Sequence, residues 1–202
     1  IPITLPYDAN SIDDYLEIID GLMVPGGDYD LDPTVYGEEV EEGTRNLRSN
    51  RTDFETALIK AALAKNIPIL AICAGQQLLA AMYGGRLIQD INTDNPNALE
   101  HEQRHLDIPM SQTSHSIKIE PGSLLHKIIQ KETMEVNSSH HQAVKSVDPE
   151  MIISAVAEDG IIEAIEMPNY DFVIGVEWHP EFLSSEDDLL LIKAFVRAAD
   201  ID

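Results

Sequence analysis

Apolar residues recur along this chain with two different periods, and the places where one gives way to the other mark out the elements. Ile67-Pro-Ile-Leu-Ala-Ile72 is a continuous apolar run, which reads as a strand buried on both faces of a parallel sheet. The run stops at Cys73, and Gly75 opens an amphipathic helix over Gln76–Met82 that Gly84-Gly85 ends. Upstream, Thr52 and Glu55 have capping-box spacing, and Phe54, Ala57, Leu58, Ala61 and Ala62 place an apolar stripe on a helix reaching about Asn66. Ser11-Ile-Asp-Asp14 resembles a capped start for a helix to Ile19. Ile1–Pro6 and Gly21–Val24 read as short strands, Pro25-Gly-Gly27 as a tight turn, and Asp28–Ser49 as an acidic, irregular surface loop.

The second half is richer in β patterns. Leu87–Ile91 reads as a strand, His115–Glu120 alternates like a half-buried one, and Pro121-Gly122 turns it into a helix over Ser123–Ile129. A strand at Met134–Asn137 follows, then Met151–Ala157 and Ile161–Met167, which flank the hairpin signal Glu158-Asp-Gly160. Phe172–Trp178 is the last strand and Glu186–Ala199 an amphipathic closing helix. Asn92–Thr113 is polar and takes no assignment. Strands alternating with helices, then a run of strands, predict a three-layer α/β/α domain with a mostly parallel central sheet and an antiparallel extension.

Composition narrows the functions. A chain of 202 residues suffices for one domain, and nothing in it reads as a linker. A net charge of -23 argues against nucleic-acid binding and against docking on anionic membranes, because both need a basic patch. The single cysteine cannot form an internal disulfide, which points to a reducing, cytoplasmic compartment. No apolar run has membrane-spanning length.

That cysteine is also the first candidate for chemistry. A strand that turns into a helix at Cys-x-Gly is a nucleophile elbow with sulfur in place of a serine oxygen. There the helix N-terminus favours thiolate, and its unpaired N–H groups point where an oxyanion would form. The alternative is a small buried cysteine at a strand end. A cysteine nucleophile needs a base, and the base an orienting group. His179 directly follows a strand, with Glu181 two residues on and Pro180 stiffening the link. His101-Glu-Gln-Arg-His105 matches the H-E-x-x-H zinc pattern, but the segment lacks apolar positions to bury a helix and no persuasive third ligand follows. No metal or other cofactor is therefore expected. His140 and His141 sit on a loop, where adjacent side chains diverge; His115 and His126 read as structural.

These residues resemble the class I glutamine amidotransferase-like enzymes, a flavodoxin-like three-layer fold, and more narrowly the γ-glutamyl-γ-aminobutyrate hydrolase branch, also filed as the C26 peptidases. The likeness rests on Gly21-Leu-Met-Val-Pro-Gly-Gly-Asp28, Asp32-Pro33 with Tyr36-Gly-Glu38, Arg51-Thr-Asp-Phe-Glu55, Ile67–Leu79, Gly84–Ile91, His115-Ser-Ile and Pro121–Leu125. Val136-Asn-Ser-Ser-His-His-Gln-Ala-Val144, Asp159-Gly160 with Glu163-Ala164, and Gly175-Val-Glu-Trp-His-Pro-Glu181 complete it. The resemblance implies Cys73 as nucleophile, His179 as general base and Glu181 as its partner. It implies an oxyanion hole from the N–H groups of Ala74 and Gly27, or alternatively Gly26, and supporting pocket roles for Gly26, Gln77, His140 and His141. The implied reaction is hydrolysis of a small γ-glutamyl amide through a thioester. Two alternatives are a glutaminase module passing ammonia to a synthase partner and an inactive binding or scaffold homologue; a homodimer stays open.

The chain departs from the family at the elbow, where the usual Gly-Ile-Cys-Arg-Gly-His-Gln reads Ala71-Ile-Cys-Ala-Gly-Gln-Gln77. Ala74 keeps the N–H but removes a charge, which bears on substrate preference more than on the nucleophile. The family also carries a strand and helix before the equivalent of Ile1, so the resemblance implies a single domain over 1–202 lacking that first pair.

Overall fold

The computed structural model describes residues 1–200. Its helices are α1 (Ile12–Leu16), α2 (Ser49–Ala64), α3 (Ala74–Met82), α4 (Ile91–Asp94), α5 (Leu124–Ile129) and α6 (Glu186–Ala199). Its strands are β1 (Leu22–Val24), β2 (Ile69–Ile72), β3 (Arg86–Ile88), β4 (His115–Ile119), β5 (Thr133–Val136), β6 (Ala143–Ser146), β7 (Ile152–Ala157), β8 (Ile162–Glu166) and β9 (Val173–Val176). They form one sheet in the order β1-β2-β9-β8-β7-β4-β5, with the β3–β6 ribbon joined to β8.

The three layers follow from the side-chain period of the central strands. Ile69, Ala71 and Val173 face a core shared with α1, α2 and α3. Leu70, Ile72, Ile174 and Val176 face the opposite core, which includes Leu125 and Ile129 of α5 and Leu191 and Phe195 of α6. The α/β fold class is as expected, but its weighting is not. Parallel pairing is limited to β1 with β2 and β2 with β9, and every other pairing is antiparallel.

Several local expectations give way. Ile1–Pro6 pairs with no strand among the described residues and is largely exposed. Asp8, not Ser11, supplies the cap at the first helical segment, accepting from the Asn10 N–H at 3.0 Å, and α1 stops at Leu16. Thr52 and Glu55 form no capping box, because α2 starts at Ser49 and both lie inside it. Thr52 bonds back to the Arg48 carbonyl, and Glu55 takes Arg51 and Tyr29 instead. The 28–49 stretch is not simply a surface loop: Tyr29, Asp30, Leu31 and Pro33 are buried, and a 3-10 turn spans Pro33–Tyr36. The unassigned 92–113 region contains most of α4 and a 3-10 turn, Gln103–Leu106. The hairpin at Glu158-Asp-Gly160 is present between β7 and β8.

Candidate active site

β2 and β9 are parallel neighbours, so the chain leaves both at the same sheet edge, where open α/β sheets hold their sites. Cys73 leaves β2 and His179 follows β9. The Cys73 N–H donates to the Val176 carbonyl at 2.7 Å, tying the two exits together. Cys73 adopts φ 50°, ψ −112°, a conformation L-residues rarely take, before α3 starts at Ala74. The turn is tight enough that a Cβ on Gly75 would lie 2.4 Å from the Val24 carbonyl oxygen, so only glycine fits.

His179 is held from three sides. Its Nδ1 lies 2.8 Å from Glu181 Oε1. Its N–H donates to Asn137 Oδ1 at 2.8 Å, and the Asn137 amide donates back to the His179 carbonyl at 2.8 Å. The buried Nε2 has no hydrogen-bond partner among the described residues. Gly26 lies between this imidazole and the sulfur: a Cβ there would sit 3.1 Å from His179 Cε1 and 3.6 Å from Cys73 Sγ. The sulfur and the imidazole therefore flank one glycine.

A cavity of about 330 Å³ opens over them, lined by Gly27, Cys73, Ala74, Gln77, His140, His141 and His179 among others. Gly26 sits beside the sulfur but is not part of the lining. Gln77 bonds to the Gln142 carbonyl and to Glu177. His140 donates from Nδ1 to the Gln142 carbonyl at 2.9 Å. His141 is spent on the loop: Nε2 lies 2.7 Å from Asp30 and Nδ1 3.3 Å from Asp90. Arg45 and Arg104 border the cavity, each paired with Glu102.

Burial works against the helix terminus at Cys73. Burial, with the Glu177 carboxyl nearby, pushes the thiol well above its usual range, and the Ala74 N–H opposes this only in part. Glu177 is itself fully buried, and burial with Glu163 nearby raises its carboxyl well above the ordinary value.

The H-E-x-x-H segment is not a two-histidine helix face. His101 is buried against Asp159 at 3.0 Å, while His105 is half-exposed against Glu100 at 3.3 Å. Roles for Arg51, Asn137, Glu163 and Glu177 were not read from the sequence. The two glutamates carried a signal, since a carboxylate inside an otherwise apolar strand stretch needs a buried partner. Asn137 carried none, as its partners are backbone atoms distant in sequence, and Arg51 showed only its i,i+4 spacing to Glu55, nothing of its reach to the Pro25 and Gly26 carbonyls.

The Peptidase C26 family profile matches residues 1–181. A glutamine amidotransferase-like protein of Rickettsia prowazekii is 41% identical over 98% of this chain and 84% of its own length. The γ-glutamyl-γ-aminobutyrate hydrolase of Escherichia coli K12 is 35% identical over 98% of this chain and 80% of its own. Among solved structures, the glutaminase domain of Trypanosoma brucei CTPS, with acivicin bound, superposes with a TM-score of 0.62 at 20% identity, covering 98% of this chain and 81% of that one. With a family profile spanning nearly its whole length and relatives of this identity, the chain belongs to the peptidase C26 family and has the class I glutamine amidotransferase fold.

Proposed function

We propose that this protein is a single-domain cysteine hydrolase of small γ-glutamyl amides, with Cys73 as nucleophile, His179 as general base and Glu181 as its orienting partner. The observation that carries the reading is the shared glycine: a Cβ on Gly26 would lie 3.6 Å from the sulfur and 3.1 Å from an imidazole whose Nδ1 is committed to Glu181. With Nδ1–H given to the carboxylate, the unpartnered Nε2 is the nitrogen available to the thiol.

Attack and proton transfer go together. His179 Nε2 takes the Sγ proton as sulfur bonds to the amide carbonyl carbon, giving a tetrahedral oxyanion. The imidazolium then protonates the leaving nitrogen, the C–N bond breaks and a γ-glutamyl thioester remains. Water, deprotonated by the same nitrogen, attacks the thioester; the S–C bond breaks, releasing glutamate and restoring the thiol. The Ala74 and Gly27 N–H groups receive the oxyanion. Arg51 supports this, donating from Nη2 to the Pro25 and Gly26 carbonyls at 2.7 and 3.1 Å. In a trans peptide the N–H points away from the carbonyl, so holding the Gly26 oxygen turns the Gly27 N–H away from Arg51.

The E. coli relative is named for γ-glutamyl-γ-aminobutyrate, and that compound heads the substrate panel. The test is mass spectrometry of the isolated protein with γ-glutamyl-γ-aminobutyrate, other γ-glutamyl amides and glutamine. A γ-glutamyl adduct on Cys73 and release of free amine support the proposal. Glutamine turnover appearing only after a synthase is added would transfer the protein to the amidotransferase reading. No adduct and no turnover across the panel would leave the binding or scaffold reading.

A further inference from the structure

Beneath the floor of the pocket, four buried side chains from separate parts of the chain converge. They are His101 from the 92–113 region, His115 at the start of β4, His140 ahead of β6, and Glu163 on β8. Three imidazole nitrogens face one oxygen, Glu163 Oε1: His115 Nε2 at 3.1 Å, His101 Nδ1 at 3.4 Å and His140 Nε2 at 3.7 Å. Side-chain exposure is 0% for Glu163, 1% for His140, 2% for His101 and 7% for His115.

The hydrogen bonds on the far sides of two rings show what faces inward. His101 Nε2 lies 3.0 Å from the Asp159 carboxylate, and His140 Nδ1 lies 2.9 Å from the Gln142 carbonyl oxygen. Both partners are acceptors, so both nitrogens carry their proton, and a neutral ring then presents a bare lone pair to Glu163. The Ser138 hydroxyl does not relieve His101 Nδ1, because it donates to the His101 carbonyl at 2.8 Å. Lone pairs converging on a carboxylate oxygen repel one another unless a cation stands among them. No lysine or arginine reaches Glu163; its side-chain ion-pair partners among the described residues are these three histidines. Glu163 Oε2, His140 Nε2 and His115 Nδ1 are buried without a hydrogen-bond partner.

The spacing identifies the cation. Two of the three contacts exceed a good N–H···O distance of about 2.7–3.2 Å. The edge of a tetrahedron with metal–ligand bonds of about 2.0–2.1 Å is about 3.3–3.4 Å, close to the 3.1 and 3.4 Å at which His115 and His101 face Glu163 Oε1. The facing atoms of His101, His115 and Glu163 also lie within 4.8 Å of one another. We propose that His101, His115 and Glu163 hold a divalent transition metal of the zinc class, with His140 Nε2 beside the group, 3.7 Å from the same Glu163 oxygen. Two imidazoles and one carboxylate suit zinc. Asp159 orients His101 from outside. The ion would pin β4 and β8 to the segment that carries His101, fixing the floor of the pocket.

The test uses tag-free full-length protein, unfolded with chelator and refolded with and without Zn²⁺ or Co²⁺. The expected result is one zinc per chain after gel filtration, visible Co²⁺ bands of tetrahedral intensity, and a Tm about 5–10 °C higher with zinc. Glu163→Gln and His115→Gln should each lose the stoichiometric metal and the Co²⁺ bands, while His105→Ala keeps both. Wild-type protein that takes up no zinc, shows no Co²⁺ bands and melts identically with and without zinc would overturn the proposal, leaving a second proton on His101 as the cation. Binding that survives in both ligand variants but vanishes in His105→Ala would also overturn it. The wild-type measurements stand even where a variant fails to fold.

Discussion

Asn137 and His179 are joined by two reciprocal hydrogen bonds of 2.8 Å, side-chain amide to backbone in each direction. Asn137 follows β5, in the antiparallel extension, whereas His179 follows the parallel strand β9. The pair therefore fixes the backbone of the proposed base to the far part of the sheet. Asn137→Ala should lower kcat about 10–100-fold with little change in KM, since the imidazole is displaced rather than removed. Two buried polar groups lose their partner, so a stability loss of about 1–3 kcal/mol should accompany it. Steady-state kinetics and denaturant unfolding read the two effects separately.

The proposed chemistry ranks three substitutions. Cys73→Ala should abolish turnover and the covalent adduct, and His179→Ala should lower kcat by about 10⁴. Glu181→Gln should cost less than His179→Ala, because this carboxylate orients the ring and its side chain is 41% exposed. Full activity in His179→Ala would remove the assigned base.

Burial raises the Cys73 thiol, which makes a claim about the resting protein. Near neutral pH, iodoacetamide should alkylate Cys73 more slowly than it alkylates free cysteine, with the rate still climbing above pH 9. A fast, pH-independent reaction at neutral pH would instead mean a preformed thiolate. Intact-mass measurement over a pH series distinguishes them.

Arg51 acts on the Gly26 peptide from outside the cavity, at 16% side-chain exposure. Arg51→Met removes the donors and keeps much of the stem, freeing that peptide to turn. The expected result is a fall of about 10²–10³ in kcat, comparable to loss of one oxyanion donor, with the smaller effect in KM. Arg51→Lys should recover only part, because a single ammonium cannot also hold the Glu55 carboxylate, 2.7 Å from Arg51 Nε, in the same fork geometry.

The strand–Cys73–helix turn and the His179-Pro-Glu181 segment were legible because their geometry is local: an apolar run, a glycine, a proline and a two-residue spacing. Layering was legible too, since β2 and β9 are apolar on both faces. What escaped was set by distant partners. Thr52 and Glu55 spell a capping box, but Glu55 gains more from Arg51 and Tyr29, so the helix starts a turn earlier. Ile1–Pro6 has a strand's composition and no partner among the described strands. The balance of parallel and antiparallel strands depends on pairing, which side-chain period does not encode. Likewise His101 was read with His105, its neighbour in sequence, whereas the fold groups it with His115, His140 and Glu163.

Glu177 yields the last prediction. Its oxygens accept from Gln76 and Gln77, it is fully buried, and its carboxyl is raised well above 4.5. A carboxyl with a raised folded pKa binds protons more tightly in the folded state, so its contribution is fully present below the unfolded value near 4.5. That contribution is lost as pH rises from there through the folded value. Glutamine mimics the protonated form at every pH. It needs one acceptor, which the buried, unpartnered Gln76 Oε1 supplies if that amide turns. Glu177→Gln should therefore match wild type in Tm near pH 4 and gain on it steadily as pH rises, whereas Glu177→Ala should be destabilised throughout. A Tm difference between Glu177→Gln and wild type that stays flat or shrinks from pH 4 to 8 would show that Glu177 is ionised in the folded protein.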